Sequence, residues 1–148
     1  MRIAVAFDHA GYLLKQDVIT TVQAAGHTVL DLGTFSPEAV DYPDFAEKAG
    51  LAVVNRQADR AIVVCGSGVG ACIAANKVKG VYAGLCHDTY SARQGVEHDD
   101  MNMLCLGSRI IGVELAKDIV LSFLNASFSK DDRHIRRVGK IRAIEKRN

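Results

Sequence analysis

The chain has 148 residues, 49% of them apolar and 24% charged, with a formal net charge of +1. Such a length and balance predict a single soluble domain, 1–148, large enough to bury a core, and exclude a global pull toward nucleic acid or a membrane surface. No apolar run reaches transmembrane length, and the opening Met1-Arg-Ile-Ala-Val-Ala-Phe7 reads as a strand rather than a signal peptide.

Residues 3–7 form the first apolar strand-like run. The stretch 11–25 follows with Leu14, Val18 and Val22 on one helical face, and Gly26 ends it. Residues 28–32 read as a second strand. Pro43 suits a helix start, and that helix is expected to run to about Asn55. Strand 61–64, helix 70–77, strand 81–86, helix 89–96, strand 103–106 and helix 112–124 complete the alternation; Val113, Ala116, Val120 and Phe123 make the apolar stripe of the last of these. Five strands each followed by a helix predict a parallel sheet covered on both faces. Residues 131–145 predict one more helix, basic and amphipathic. Its Ile135, Val138, Ile141 and Ile144 need a surface on this chain or on a neighbour. Residues 130–148 hold eight Lys or Arg and three Asp or Glu, so the positive charge is concentrated there. There is no internal repeat, low-complexity segment or linker.

The segment Cys65-Gly-Ser-Gly-Val-Gly70 carries the strongest chemical signal. A cysteine stands where a buried strand should end, and three alternate glycines open the next helix. Glycine lets backbone N–H groups come close to a ligand, and successive N–H groups at a helix N-terminus bind anions. The same surroundings stabilise a thiolate; the competing reading of Cys65 is a small buried hydrophobe. Gly66-x-Gly68-x-x-Ala71, with Asp88 twenty residues after Gly68, matches a loose dinucleotide fingerprint. That motif normally follows the first strand of its unit, and here it follows the third. A cysteine phosphatase loop would need an arginine where Ala71 stands, and a Walker loop would need Gly-Lys-Ser/Thr, so both are rejected. Cys72, Cys86 and Cys105 read as packing residues. With no CxxC pair, the four cysteines are expected to be free thiols in a reducing cytoplasm, with no metal site.

Asp8 and His9 follow the first strand, His87 and Asp88 the fourth, and Ser108-Arg109 the fifth. Polar groups at the carboxyl ends of parallel strands converge on one sheet edge, where such sheets bind ligands. Asp8 and Asp88 also suit helix capping. His98, flanked by Glu97 and Asp99, sits between the fourth helix and the fifth strand in this reading, as an acid–base group or part of a polar turn. Arg133 and Arg137 share a helix face at a spacing that suits a phosphate, or make a solvated basic face.

Taken together, these motifs resemble the type B ribose-5-phosphate isomerases and the related galactose-6-phosphate isomerase subunits. The likeness covers nearly the whole chain: Asp8-His9-Ala-Gly11, Asp41-Tyr42-Pro43, Cys65 to Gly70, Ile73-Ala-Ala-Asn-Lys77, Asn102 through Gly107-Ser-Arg109, Gly112-x-Glu-Leu-Ala116 and Arg133-His134-x-x-Arg137. The resemblance implies a Rossmann-like three-layer α/β/α sandwich with a five-stranded parallel sheet and a basic C-terminal helix at a subunit interface. It implies a homodimer, or a dimer of dimers, with sites shared between subunits. The implied activity is cofactor-free interconversion of ribose 5-phosphate and ribulose 5-phosphate, or isomerisation of a six-carbon aldose phosphate. A non-catalytic phosphosugar- or nucleotide-binding module is the reading of a different class.

By the same resemblance Cys65 is the base that moves the proton; the glutamate that some relatives use instead is replaced by Ala71. Ser67 and the amides of Gly66, Gly68, Val69 and Gly70 hold the enediolate, and His98 opens the furanose ring. Asp8, His9 and Tyr42 contact sugar or phosphate, and Arg109, Arg133 and Arg137 clamp the phosphate. Asp99 departs from the asparagine common in relatives. An ionised carboxylate accepts hydrogen bonds but donates none, which implies an altered sugar preference or pH profile.

Overall fold

The computed structural model describes all 148 residues. Five strands, β1 (Arg2–Phe7), β2 (Thr28–Asp31), β3 (Arg60–Cys65), β4 (Ala83–Leu85) and β5 (Met103–Gly107), alternate with helices α1 (Lys15–Ala24), α2 (Tyr42–Val54), α3 (Val69–Ala75), α4 (Thr89–Asp99) and α5 (Val113–Asn125). A last helix, α6 (Asp132–Arg147), follows a short connector. All strand pairs are parallel, in the order β2-β1-β3-β5-β4. This is the parallel sheet covered on both faces that the alternation predicts, and the Rossmann-like α/β/α sandwich that the resemblance implies.

Because successive strand residues face opposite sides, each strand feeds two cores. Ile3, Val5, Phe7, Ile62, Val64, Leu104 and Leu106 pack against α1, α4 and α5, with Phe123 among the largest fully buried side chains. Burying a side chain of this kind contributes about 1.5–3 kcal/mol. The other face is built from small groups: Ala4, Ala6, Ala61 and Cys105 meet Ala46, Ala49 and Ala52 of α2 and Ala71 and Ala75 of α3. Small side chains at the contact let this helical layer sit close to the sheet.

Three elements differ from the sequence reading. The helix expected from residue 11 opens as a 3-10 turn over Gly11–Leu14, because the Asp8 carboxylate accepts the Gly11 N–H at 2.8 Å and tightens the turn. The fourth strand shrinks to Ala83–Leu85. Asn76 takes both the N–H and the C=O of Ala83, at 2.9 and 3.0 Å, and Asn102 takes the N–H of Tyr82 at 2.8 Å, so side chains replace part of the ladder. Helix α4 runs on to Asp99 and stops at Asp100, which has φ 56°. Glu97, His98 and Asp99 therefore form the last helical turn rather than a linking turn; that turn carries no apolar residue, so hydrophobic periodicity did not signal it.

Helix α6 buries only His134 and Val138 in this chain and leaves Ile135, Ile141 and Ile144 at 51%, 41% and 53% exposure. No helix is long and apolar enough to cross a membrane.

Candidate active site

The loops after β1, β3 and β5 interlock at the carboxyl edge of the sheet. Asp8 N–H donates to the Val64 carbonyl at 3.2 Å, Ser108 N–H to Cys65 O at 2.8 Å, and Arg109 N–H to Gly66 O at 3.0 Å. The Ser108 hydroxyl closes the set by donating to Ala10 O at 2.8 Å. Cys65 ends β3, 4% exposed, and its Sγ accepts the N–H of Gly68 at 3.1 Å. That geometry depends on Gly68. Its φ is +81°, and a Cβ there would stand 2.5 Å from Leu85 Cδ1 and 3.0 Å from the Leu106 carbonyl. A backbone N–H against sulfur at the start of a helix is a surrounding in which cysteine works as nucleophile or base.

The remaining carboxyl-edge residues gather around this loop. Ser67 is exposed, and its Oγ accepts the Val69 N–H at 3.3 Å. The Tyr42 ring lies against Gly70, where a Cβ would come within 2.6 Å of it. The Arg109 guanidinium lies over Gly66. His9 Nδ1 accepts the Val40 N–H at 3.2 Å. Asp8, 6% exposed, uses one carboxylate oxygen on Gly11, so the capping role holds and the second oxygen is free for a ligand. The strand-end convergence thus brings together Asp8, His9, Tyr42, Cys65 to Gly70 and Arg109. His87 and Asp88 share this edge in structural roles. His87 Nε2 accepts the Gly107 N–H at 3.1 Å, and Asp88 caps α4 through the Ser91 N–H at 2.6 Å, which holds its carboxyl below the usual range.

His98, Asp99, Arg133 and Arg137 are not brought to Cys65 within one chain. Cys65 pairs with Gly107 at one end of β3 and β5, while Ala61 pairs with Met103 at the other. His98 lies in the turn of α4 that leads into Met103, so four residue steps along the strands, roughly 13 Å, lie between the two ends. Helix α6 joins that far edge. The Arg60 guanidinium, at the start of β3, donates to the carbonyls of Phe123 and Ala126 at 2.6 and 2.8 Å, which fixes the connector into α6 there. The His98 and His134 rings stack with centroids 4.1 Å apart and planes at 25°. Arg133 and Arg137 stand exposed on the same helix. The sequence showed the spacing of these residues but not which edge the helix ends occupy.

All four cysteines are free thiols. Cys86 and Cys105 are buried, and burial pushes the Cys86 thiol up to about 11. Cys72 is half-buried and packs against the core on the α2 and α3 side, as expected. Its Sγ donates to the Ala83 carbonyl at 3.5 Å and accepts from the Asn76 amide at 3.6 Å, and the neighbouring Cys105 brings its thiol down to about 7. No group of three or more His, Cys, Asp or Glu is placed to hold a metal ion. The largest cleft, about 490 Å³, lies away from Cys65, between the end of α3 and α6, with Lys77, Tyr82, Ile141 and Glu145 in its walls.

The family model described as Ribose/Galactose Isomerase matches residues 3–141. The ribose-5-phosphate isomerase B of Escherichia coli K12 is 44% identical over 146 residues, covering 99% of this chain and 97% of the relative. A solved structure of the Clostridium thermocellum ribose-5-phosphate isomerase B superposes with a TM-score of 0.96 at 48% identity, covering 99% of both chains. The Mycoplasma genitalium ribose-5-phosphate isomerase B, solved with bound ribulose-5-phosphate, superposes with a TM-score of 0.92 at 41% identity over 99% of this chain and 97% of that one.

Proposed function

The chain belongs to the ribose/galactose isomerase family, and on that premise we propose that it interconverts D-ribose 5-phosphate and D-ribulose 5-phosphate through an enediolate, without a cofactor. The observation that carries the reading is Cys65, at a strand end with the Gly68 N–H on its sulfur and the amides of Gly66 to Gly70 around it. Aldose–ketose exchange needs a base over a C–H bond, donors aimed at the oxygen that gains charge, and a grip on the remote phosphate. Cys65 supplies the base, and Ser67 with the loop amides supplies the donors, each worth about 2.7–4 kcal/mol in the transition state. Asp8, His9 and Tyr42 hold the sugar, and Arg109 meets the phosphate. Phosphate binding then supplies energy that is used at the reacting carbon.

His98, Asp99, Arg133 and Arg137 complete this site from a second copy of the chain. Their place on the far edge supports that reading, because an isologous dimer sets one edge of each subunit against the other edge of its partner and makes two equal sites. Exposed Ile73 and Tyr90 beside the short edge strand, with the unpartnered isoleucines of α6, supply the apolar surface such a dimer would bury. The reading extends to a homodimer or dimer of dimers working in the cytoplasm, where four free thiols are stable.

The test is isomerisation of ribose 5-phosphate by the purified protein in the presence of a chelator, with allose 6-phosphate and galactose 6-phosphate run in parallel. The expected outcome is fast turnover of the pentose alone. Turnover of a hexose phosphate alone keeps the mechanism and moves the substrate, with Asp99 the first residue to exchange. No turnover of any of them overturns the enzymatic reading in favour of a binding module.

A further inference from the structure

Opening a furanose breaks the C1–O4 bond: O4 takes a proton, the C1 hydroxyl gives one up, and C1 becomes the aldehyde. A single imidazole that serves this step needs a defined ring plane and a defined free nitrogen. Histidine lacks the first by itself, because its χ2 torsion is broad. In this chain the Gln94 amide nitrogen contacts His98 Nδ1 at 2.9 Å, leaving Nε2 for chemistry. That contact fixes one ring edge and leaves the ring free to tilt about it.

The face of the ring is closed by His134, stacked at 4.1 Å and only 2% exposed. His134 is itself held tightly. Its Nδ1 is hydrogen-bonded to Ser129 Oγ at 2.6 Å, and that oxygen also accepts the Asp131 N–H at 3.2 Å. Ser129 N–H in turn donates to the Glu97 carbonyl at 2.9 Å, one residue before His98. Glu97, Ser129, His134 and His98 therefore form a closed ring of contacts between α4, the connector and α6. The charged groups around His134 are His98 on α4 and Asp131, Arg133 and Arg137 on its own helix and cap. Burial, then His98 and Arg133, push the His134 imidazolium down, against the opposing pull of Asp131.

We propose that His134 is the positioning residue of the ring-opening step: a buried ring whose face, stacked on His98, sets the plane of that imidazole. This rests on the reading of His98 as the ring-opening group. Proton transfer at Cys65 does not need it, and the substrates separate the two steps. Ribose 5-phosphate is closed by O4, whereas ribulose 5-phosphate carries its phosphate on O5 and has no hydroxyl left to close a five-membered ring.

The experiment compares His134→Leu and His134→Phe with the wild-type chain. Leucine fills the space without a flat face; phenylalanine restores the face. The expected result is a fall of roughly tenfold in kcat on ribose 5-phosphate for His134→Leu. Deuterium exchange from solvent into C1 of ribulose 5-phosphate should stay at the wild-type rate, and His134→Phe should recover most of the lost turnover. Equal falls in exchange and turnover for His134→Leu, or equal losses in the two variants, overturn the proposal. A wild-type chain that exchanges deuterium into neither pentose phosphate overturns the isomerase reading itself, a separate result.

Discussion

At the scale of single residues, Cys65 separates binding from chemistry. Its sulfur holds the Gly68 N–H, and in the proposed function sugar and phosphate are left to other side chains. Cys65→Ala should therefore lower kcat for pentose phosphate isomerisation by roughly 10²–10⁴. Calorimetric affinity for ribulose 5-phosphate should stay close to that of the unmodified chain, and retained turnover would take the base away from Cys65. This residue was legible in the sequence, because an apolar run, a cysteine and alternating glycines together specify a strand end, an anion-binding turn and a helix start. Tyr42 as a candidate site residue was legible only through the resemblance, since 27 residues, with most of α2 and all of β3 among them, separate it from Gly70. His134 looked like one more residue of a basic helix. Its burial follows from the tertiary docking of α6, which no local pattern encodes.

At the scale of elements, helix ends carry much of the specification. Asp88 stands in extended backbone and gives its carboxylate to Ser91 N–H, and the carboxyl is held below its usual range mainly by that bond. A carboxyl depressed in the folded state stabilises above its unfolded pKa and loses that contribution as pH falls through the folded one. Asp88→Ala should accordingly lower the thermal midpoint at neutral pH, and the two melting curves should converge in acid below the ordinary carboxylate range. A constant difference across that range would deny the cap. The order of elements was readable because each strand and helix has its own period. Sheet order was not: no local feature states that β1 lies between β2 and β3, or that β4 takes an outer edge. Strand β4 was overread because Asn76 and Asn102 satisfy its flanking backbone from a distance in sequence.

At the scale of the whole molecule, the chain presents two partial constellations on opposite edges of one sheet. A mixing experiment tests whether they meet between subunits. Cys65→Ala and His98→Asn dimers should each be inactive on ribose 5-phosphate. Co-refolded in equal amounts, they should regain about a quarter of wild-type activity, since half of the dimers are mixed and each mixed dimer has one intact site. No regained activity would return both constellations to separate roles.

The opposite-edge arrangement also changes what dilution does to this protein. Each chain's sheet and both helical layers close on themselves, so in the proposed dimer a chain that parts from its copy lacks the partner's constellation at its own Cys65 edge. On that proposal specific activity should follow mass action, holding at concentrations above the dissociation constant of the pair and fading below it while circular dichroism stays unchanged. Abundance would then control flux, and a ligand that blocks the proposed contact between copies should inhibit without entering the pocket.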